Sequence, residues 1–444
     1  MAASSRGWCR PAWALAAGGL LFAISVAALV AVLIAFSVQL WSMIDLHVYV
    51  WGGLLLRQSG DPYNQRYANF NLYFTYTPMA AGFFALISGI MLPALKWFIT
   101  VVSVASLVAV VWLTWGALGY RRSRGRLGAT LAVAAVALWV EPVQQTLAFG
   151  QVNLVLMLII VADMCLPDRF WCKGVGVGLA AGFKLTPLIF VLYLLLTRRF
   201  RAAVVSAATF GLTIAGSLLL LPRAAHQYWF GRLFFNSHRL GNIAYVGNQS
   251  LYGTLLRLLG GAAAAQPYCV AAAAAVGTAG LLLAARASCR GQEMVGILTC
   301  ALTGLLISPV SWSHHWVWDA PTLVVLADFA VHPGSLPASR PWRWAGGLGA
   351  VAAAVLFFAY PFHLDRGAPA LPEGLLWTVP APAVQGAGMD GSEQLIGNVY
   401  VLAGVAGLCV IAGLLAFARR RRRAAVAALG YGGEPAQPGS AARA

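Results

Sequence analysis

Long apolar runs, separated by short polar or basic segments, recur from residue 11 almost to 418. A helix needs about 20 residues to cross a bilayer, and setting the basic clusters on one side orders these runs. The first, about 13 to 40, leaves the cytoplasm behind Arg6 and Arg10. The next cluster starts at Arg121, so an odd number of further spans must intervene. Two apolar stretches, 78–95 and 97–119, fill that interval. Parity holds if the segment bounded by Pro78 and Pro93 lies at the outer interface or re-enters. Spans near 127–140 and 151–166 bring the chain back at Asp168, Arg169 and Lys173. The run 174–197 is basic at both ends and too short for two full crossings. It predicts a hairpin of two short helices bending at Lys184 to Pro187. Spans near 202–222, 267–285, 294–310, 316–331, 344–361 and 395–418 complete the set. With the hairpin counted as two, the pattern predicts an all-α polytopic membrane protein of about twelve helices with both termini cytoplasmic. Large external loops then lie at 41–96, 223–266 and 362–394, and short ones at 141–150 and 311–315. The segment 425–444, rich in Gly, Ala and Pro, is expected to be a disordered cytoplasmic tail.

Composition strengthens this picture. The 444 residues are 60% hydrophobic and 10% charged, whereas soluble domains carry about a quarter charged residues. The net charge of +17 suggests nucleic acid only until its distribution is considered. Basic residues cluster between apolar runs, at 121–126, 198–201, 286–290, 340–343 and 419–423. Of the 30 Lys and Arg, 21 fall inside and nine outside, the asymmetry expected of topology signals and anionic-headgroup contacts. The seven cysteines show no CxxC spacing, hence neither a disulfide framework nor a metal site is expected. The first apolar run is too long for a cleavable signal peptide.

Polar residues at membrane depth are costly and mark candidate function. Asp45, in Ile44-Asp45-Leu46-His47-Val48-Tyr49, stands where the first span emerges. It is either a general base with a raised pKa, able to take a proton from a sugar hydroxyl, or a cap on the following helix. His314 and His315 lie in a polar turn with Ser311, Trp312, Ser313 and Trp316. Adjacent histidines on a helix point about 100° apart, which disfavours a shared metal and suits one His on a phosphate or hydroxyl while the other packs. An interfacial Trp/His belt is the alternative. Lys184, at the Gly182–Pro187 bend, either snorkels or meets an anionic headgroup. The segment 223–257 interleaves aromatics and bases, including Tyr228, Arg232, Phe234, Arg239, Tyr245 and Arg257. It suits sugar stacking and phosphate binding, or an interfacial amphipathic helix. Glu141, Gln151 and Asn153 bracket another break, as caps or cavity lining.

These residues occur in one order: Asp45 to Val50, Phe74 to Pro78, Glu141-Pro142, Phe149 to Asn153, Lys184 to Pro187, Asn248-Gln249-Ser250 and Ser308 to Trp318. In that order the chain resembles, over about 41–320, the mycobacterial polyprenol-phosphate-mannose-dependent α-1,2-mannosyltransferases, in particular those that elongate phosphatidylinositol mannosides. Thr77-Pro78 stands where Pro-Pro is expected. The resemblance implies a GT-C membrane fold over 1–424, with horizontal helices in the first external loop. It implies inverting transfer of mannose from a polyprenyl phosphate on the periplasmic side of the plasma membrane. Asp45 would be the catalytic base. His314, His315, Lys184 and Arg257 would hold the donor phosphate. His47, Tyr49, Gln151, Asn153, Asn248, Gln249, Trp312 and Trp316 would contact substrate. No DxD motif accompanies Asp45, so no metal or other cofactor is expected.

Two alternatives remain at this level. A related transferase acting on lipomannan, or with lipid-linked arabinose, would share Asp45 and the fold. A glycolipid flippase would explain the spans and Lys184, but it needs no acid at Asp45. The absence of a convincing internal repeat also weakens it, since many transporters are built from duplicated halves.

Overall fold

The computed structural model describes residues 12–35, 42–332, 340–362 and 371–430. Helix α1 (Ala12–Ala35) leads into α2 (Ile44–Ser59), a short β1–β2 hairpin (Arg66–Tyr67 with Leu72–Tyr73), α3 (Pro78–Ile87) and α4 (Leu92–Ala117). Next come α5 (Arg124–Ala137), α6 (Glu141–Phe149), α7 (Asn153–Met164), α8 (Val175–Phe183), α9 (Ile189–Leu196) and α10 (Phe200–Leu220). The chain continues through α11 (Pro222–Trp229), α12 (Leu251–Leu259), α13 (Ala262–Cys289), α14 (Glu293–Ile307), α15 (Asp319–Val331) and α16 (Arg340–Phe357). A second hairpin pairs β3 (Tyr360–Phe362) with β4 (Leu371–Glu373). The described chain then closes with α17 (Ala381–Val384), α18 (Gly391–Gly397) and α19 (Val399–Gly430).

Among the described residues, five helices are long and apolar enough to cross a membrane: α1, α4, α10, α13 and α19. A sixth results if α6 and α7, bent by 117° at Gly150–Val152, form one broken span. Further apolar helices, including α3, α14 and most of α16, are shorter. The protein is therefore a largely helical, multi-pass membrane protein. Length and composition alone assign fewer crossings than the twelve read from the periodicity. The difference lies in helices of 8 to 15 residues such as α9 and α14. The stretch 141–150, expected as a short external loop, is instead α6, started by Pro142 in its first turn and stopped by Gly150. The tail expected to be disordered from 425 begins inside α19, which continues to Gly430. Arg6, Arg10 and residues 431–444 lie outside the described residues.

The hairpin at 174–197 is present. A Cβ on Gly178 would press on Thr209 and one on Gly182 on Thr213, so α8 runs alongside α10 in the same direction. The chain must come back to enter α10 at Phe200, and α9 makes that return. Thr77 ties the bend to α3: its hydroxyl donates to Gly182 O and accepts from Ala80 N at 3.3 Å, capping α3 ahead of Pro78. Small residues allow other close crossings, as where Gly18 of α1 meets Gly128 of α5 backbone to backbone.

Polar residues separate to the two ends of this bundle. At one end Arg199 grips Glu293 through Nη1 at 2.5 Å and Nη2 at 2.6 Å, and Lys173 pairs with Asp168 at 2.8 Å. These residues sit at the C-terminal end of α7 and the N-terminal end of α14. At the opposite ends of the same two helices stand Asn153 and the turn 308–318. The separation is the length of a helix of 12 to 15 residues, about 18–22 Å at 1.5 Å per residue. The start of α2, the α6–α7 bend and the α8–α9 bend all meet at this second end.

Candidate active site

Asp45 lies in the first turn of α2, half-buried, with its carboxylate facing a cavity of about 810 Å³. Its Oδ2 accepts a hydrogen bond from Gln151 Nε2 at 2.8 Å, so it is bound across the fold rather than capping its own helix. The opposite side of the same amide is equally committed. Gln151 Oε1 accepts from Tyr49 OH at 2.7 Å and from Tyr76 OH at 3.0 Å. A carboxylate can only accept, which settles the amide orientation: nitrogen toward Asp45, oxygen toward the two phenols. Shelter from solvent pushes the Asp45 carboxyl up to about 6, against the Gln151 hydrogen bond and the Lys184 charge, which both pull it down.

Local backbone geometry delivers Gln151 to this spot. Gly150 ends α6 at φ 67°, a conformation that side chains disfavour. A Cβ there would lie 2.8 Å from the Leu46 Cβ and 3.2 Å from Met43 Sδ. Met43, buried at the head of α2, itself adopts φ 46°, and its N–H donates to Ala148 O at 3.1 Å. The start of α2 and the end of α6 are thus locked together by two left-handed residues, of which Met43, bearing a side chain, is the strained one, and such strain clusters at functional sites.

Lys184 and the paired histidines form the second half. Lys184 Nζ lies 2.9 Å from His315 Nε2 and donates to Asn153 Oδ1 at 3.1 Å. An ammonium has three protons and no lone pair, so His315 Nε2 accepts and one ammonium proton stays uncommitted. His314 Nε2 lies 3.3 Å from Gln151 Nε2 and is again the acceptor. Burial first, and the Lys184 charge second, hold both imidazoles far below the usual histidine range. The histidines are therefore neutral supports, and the positive charge belongs to Lys184. Thr146 and Asn153 fix their turn by donating to His314 O at 3.0 and 2.8 Å.

Of the residues singled out in the sequence, Asp45, Tyr49, Gln151, Lys184, Trp312, His314 and His315 line the cavity, and Asn153 stands directly behind Lys184. Others serve elsewhere. Arg257 is buried and spends its guanidinium on Asn398 Oδ1 (2.6 Å), Tyr245 O (3.0 Å) and Asn248 O (3.1 Å), leaving little for a phosphate. Asn248 and Gln249 are fully buried struts. Asn248 Oδ1 accepts from Ser311 N at 2.9 Å, and Gln249 N donates to Ser311 O at 2.8 Å, pinning the turn that carries the histidines. Trp316 packs in the core with its indole N–H on Gln249 O at 3.2 Å, and His47 folds back on Met43 O at 3.0 Å. Glu141, also buried, accepts from Trp377 Nε1 at 2.8 Å and Tyr400 OH at 2.9 Å, a role the pattern of the chain does not reveal. Arg239, read in the sequence with the 223–257 segment as suited to phosphate binding or to an interfacial helix, also lines the cavity. The contributor that had no assigned part is Tyr76, marked only by its place in the Phe74–Pro78 motif. Among the described residues, no three His, Cys, Asp or Glu side chains converge as a metal-binding group.

This arrangement brings a carboxylate with a raised pKa and a cation to one aromatic-lined cavity, groups able to accept a proton and to meet a negative charge. The profile of glycosyltransferase family 87 matches residues 74–309. A protein of Mycobacterium tuberculosis (strain CDC 1551 / Oshkosh), named polyprenol-phosphate-mannose-dependent alpha-(1-2)-phosphatidylinositol pentamannoside mannosyltransferase, is 37% identical over 309 residues, 68% of this chain and 70% of that one. A Mycolicibacterium smegmatis protein of the same name is 36% identical over 310 residues, covering 69% and 73%. A second protein, from M. tuberculosis strain H37Rv and named as a phosphatidylinositol mannoside mannosyltransferase, is 36% identical over 267 residues, covering 58% and 62%. No solved structure matches the chain. None of these similarities favours the flippase alternative. By the extent of the profile match and the identity to these enzymes, the chain belongs to glycosyltransferase family 87.

Proposed function

We propose that this protein transfers mannose from a polyprenyl phosphate to a phosphatidylinositol mannoside, with inversion, forming an α-1,2 linkage on the extracytoplasmic face of the plasma membrane. The names of the similar enzymes support the donor and the acceptor class. One observation carries the chemistry: Asp45, oriented by Gln151, and Lys184, with a proton to spare, face one cavity. Asp45 takes the proton of the acceptor hydroxyl as its oxygen attacks the anomeric carbon. The bond from that carbon to the phosphate oxygen breaks, and the electron pair leaves with polyprenyl phosphate. Lys184 stabilises the negative charge gathered on that leaving group, so the reaction proceeds without a metal or other cofactor. The opposition of the site to the Arg199–Glu293 end of the bundle supports a site facing away from the basic, cytoplasmic side. A GT-C arrangement over 1–424, with about twelve membrane-associated helices and with α2 and α3 lying along the outer interface, fits the same sidedness.

The test is direct. Membranes containing the protein are supplied with polyprenyl phosphomannose and phosphatidylinositol mannosides, and product mass is followed. Added hexose units are expected for the wild-type protein. Asp45→Asn is expected to lower transfer by about 10²–10⁴-fold, the usual worth of a general base, while the protein stays folded. Full activity in that variant rejects Asp45 as the base.

A further inference from the structure

The cavity is lined by a cation that the chemistry at Asp45 does not use. Arg239 borders it at the rim formed by Tyr73, Phe234, Phe235 and Leu240. Its guanidinium carbon sits 4.0 Å from the centre of the Tyr73 ring, and that of Arg66 sits 4.6 Å from the same centre. Two like charges therefore share one ring. Among the described residues, no carboxylate lies within ion-pair distance of either. Asp61 is the acid whose charge reaches Arg239, but its oxygens point elsewhere: Oδ1 accepts from Tyr63 N at 3.0 Å, and Oδ2 accepts from Asn64 Nδ2 at 2.6 Å and Gln227 Nε2 at 3.2 Å. Arg239 donates to Tyr63 O, and Arg66 to Asn71 Oδ1 at 3.0 Å and to the Tyr73 hydroxyl, which leaves each guanidinium with further N–H donors to offer. Two like charges on one ring repel, and an anion held between them relieves that repulsion.

We propose that Arg239 and Arg66, bridged by Tyr73, form the subsite for the phosphodiester of the acceptor glycolipid. This rests on the mannosyl-transfer reading above. Two phosphates must be accommodated in that reaction. The donor phosphate is bonded to the reacting carbon and has to lie by Lys184 and Asp45. The acceptor phosphate lies at the far end of its sugar chain, joined to glycerol at headgroup level. Arg239 has the matching position. Tyr76, Phe74 and Tyr63 stand between it and Gln151, with ring-centre steps of 6.2 Å and 5.9 Å. Its neighbour Phe235 is 74% exposed and Phe230 64% exposed, as suits side chains at a membrane interface. A planar guanidinium can hold a phosphodiester through two parallel hydrogen bonds, so this pair would select lipids whose mannose is built on a phosphate-bearing headgroup.

Selectivity between two acceptors provides the test. Purified protein is given polyprenyl phosphomannose with either a phosphatidylinositol mannoside or an alkyl mannoside that has no phosphate. Arg239→Gln is expected to lower kcat/KM for the glycolipid, relative to the mannoside, by ten-fold or more, chiefly through KM, and Arg239→Lys by less. Added salt should weaken wild-type preference for the glycolipid in the same direction. Equal losses on both acceptors, no change in the ratio, or a rise confined to the donor KM overturns the assignment. Arg66→Gln, on an exposed two-residue strand, supplies the same readout should Arg239→Gln fail to fold. Wild-type protein that transfers to neither acceptor overturns the mannosyl-transfer reading itself. Transfer with an unaltered acceptor ratio overturns only the subsite.

Discussion

Gln151 Nε2 stands 2.8 Å from Asp45 Oδ2, and the same residue's Oε1 takes hydrogen bonds from Tyr49 and Tyr76. This amide both orients the carboxylate and lowers its proton affinity. Shelter in the cavity works the other way and is the larger effect, leaving the Asp45 carboxyl at about 6. A base must be deprotonated to act, so wild-type kcat/KM is expected to fall with slope one as pH drops through about 6. Gln151→Met removes a contribution that lowers the carboxyl pKa. Its acid limb should therefore move to higher pH, with activity recovering as pH rises toward neutrality, below the value of about 8 to which burial lowers the Lys184 ammonium. A pH–rate profile for both proteins measures this, and an acid limb that stays in place in the variant rules out the coupling.

Lys184 and His315 are expected to act as one unit. His315→Ala frees the ammonium from its acceptor, so transfer should fall about 10²-fold, near the loss seen when one charge-stabilising donor is removed. His314→Ala leaves the His314 backbone oxygen to hold Asn153 and Thr146, and its loss should be nearer ten-fold. The double variant Lys184→Met/His315→Ala should be scarcely worse than Lys184→Met. Additive losses in that cycle, read from turnover at saturating acceptor, would show that the two act separately.

Gly150→Ala tests the lock between α2 and α6. The left-handed backbone costs a side-chain-bearing residue about 1–2 kcal/mol, and the added carbon collides with Leu46. Thermal unfolding in detergent should shift down by several degrees, and the displaced Gln151 should carry activity down with it. An unchanged Tm with full turnover would mean that the bend tolerates a Cβ.

Arg257→Met separates scaffold from site. Removing a buried guanidinium leaves Asn398 Oδ1 and the Asn248 carbonyl without donors, at about 1–3 kcal/mol each for groups that water does not reach. The expected damage is a large fall in Tm and in folded yield. A ten-fold or greater rise in donor KM, in protein of normal stability, would return Arg257 to the phosphate site.

Much of the architecture was readable in advance because membrane helices announce themselves through long apolar runs. The break at Lys184–Pro187 predicted a hairpin, and α8 and α9 form one. Parity placed 78–93 apart from the crossing helices, and α3 has only 10 residues. What escaped was α6, whose Glu141-Pro142-Val143-Gln144-Gln145-Thr146 start reads as a polar loop. Its residues become helical because Glu141, Gln144 and Thr146 find buried partners. The motif residues gather around one cavity or brace its walls, and the chain's pattern does not divide these parts among them. Asn248, Gln249, Arg257 and Trp316 have the chemistry of ligand-binding side chains and are used as struts. Residue type does not say whether a donor points into a cavity or into a neighbouring carbonyl.

Hydropathy and charge along the chain dictate that it lives in lipid, which end of the bundle is basic, and that Asp45 emerges opposite that end, since each follows from transfer free energies summed along local segments. Packing assigns the partners. Asp45 meets Gln151 across 106 positions and Lys184 meets His315 across 131, and such contacts depend on where glycines let helices approach and bend. Whether a polar side chain becomes base, cation, support or strut is set by that three-dimensional neighbourhood, because only there are its hydrogen bonds and its exposure to the cavity defined.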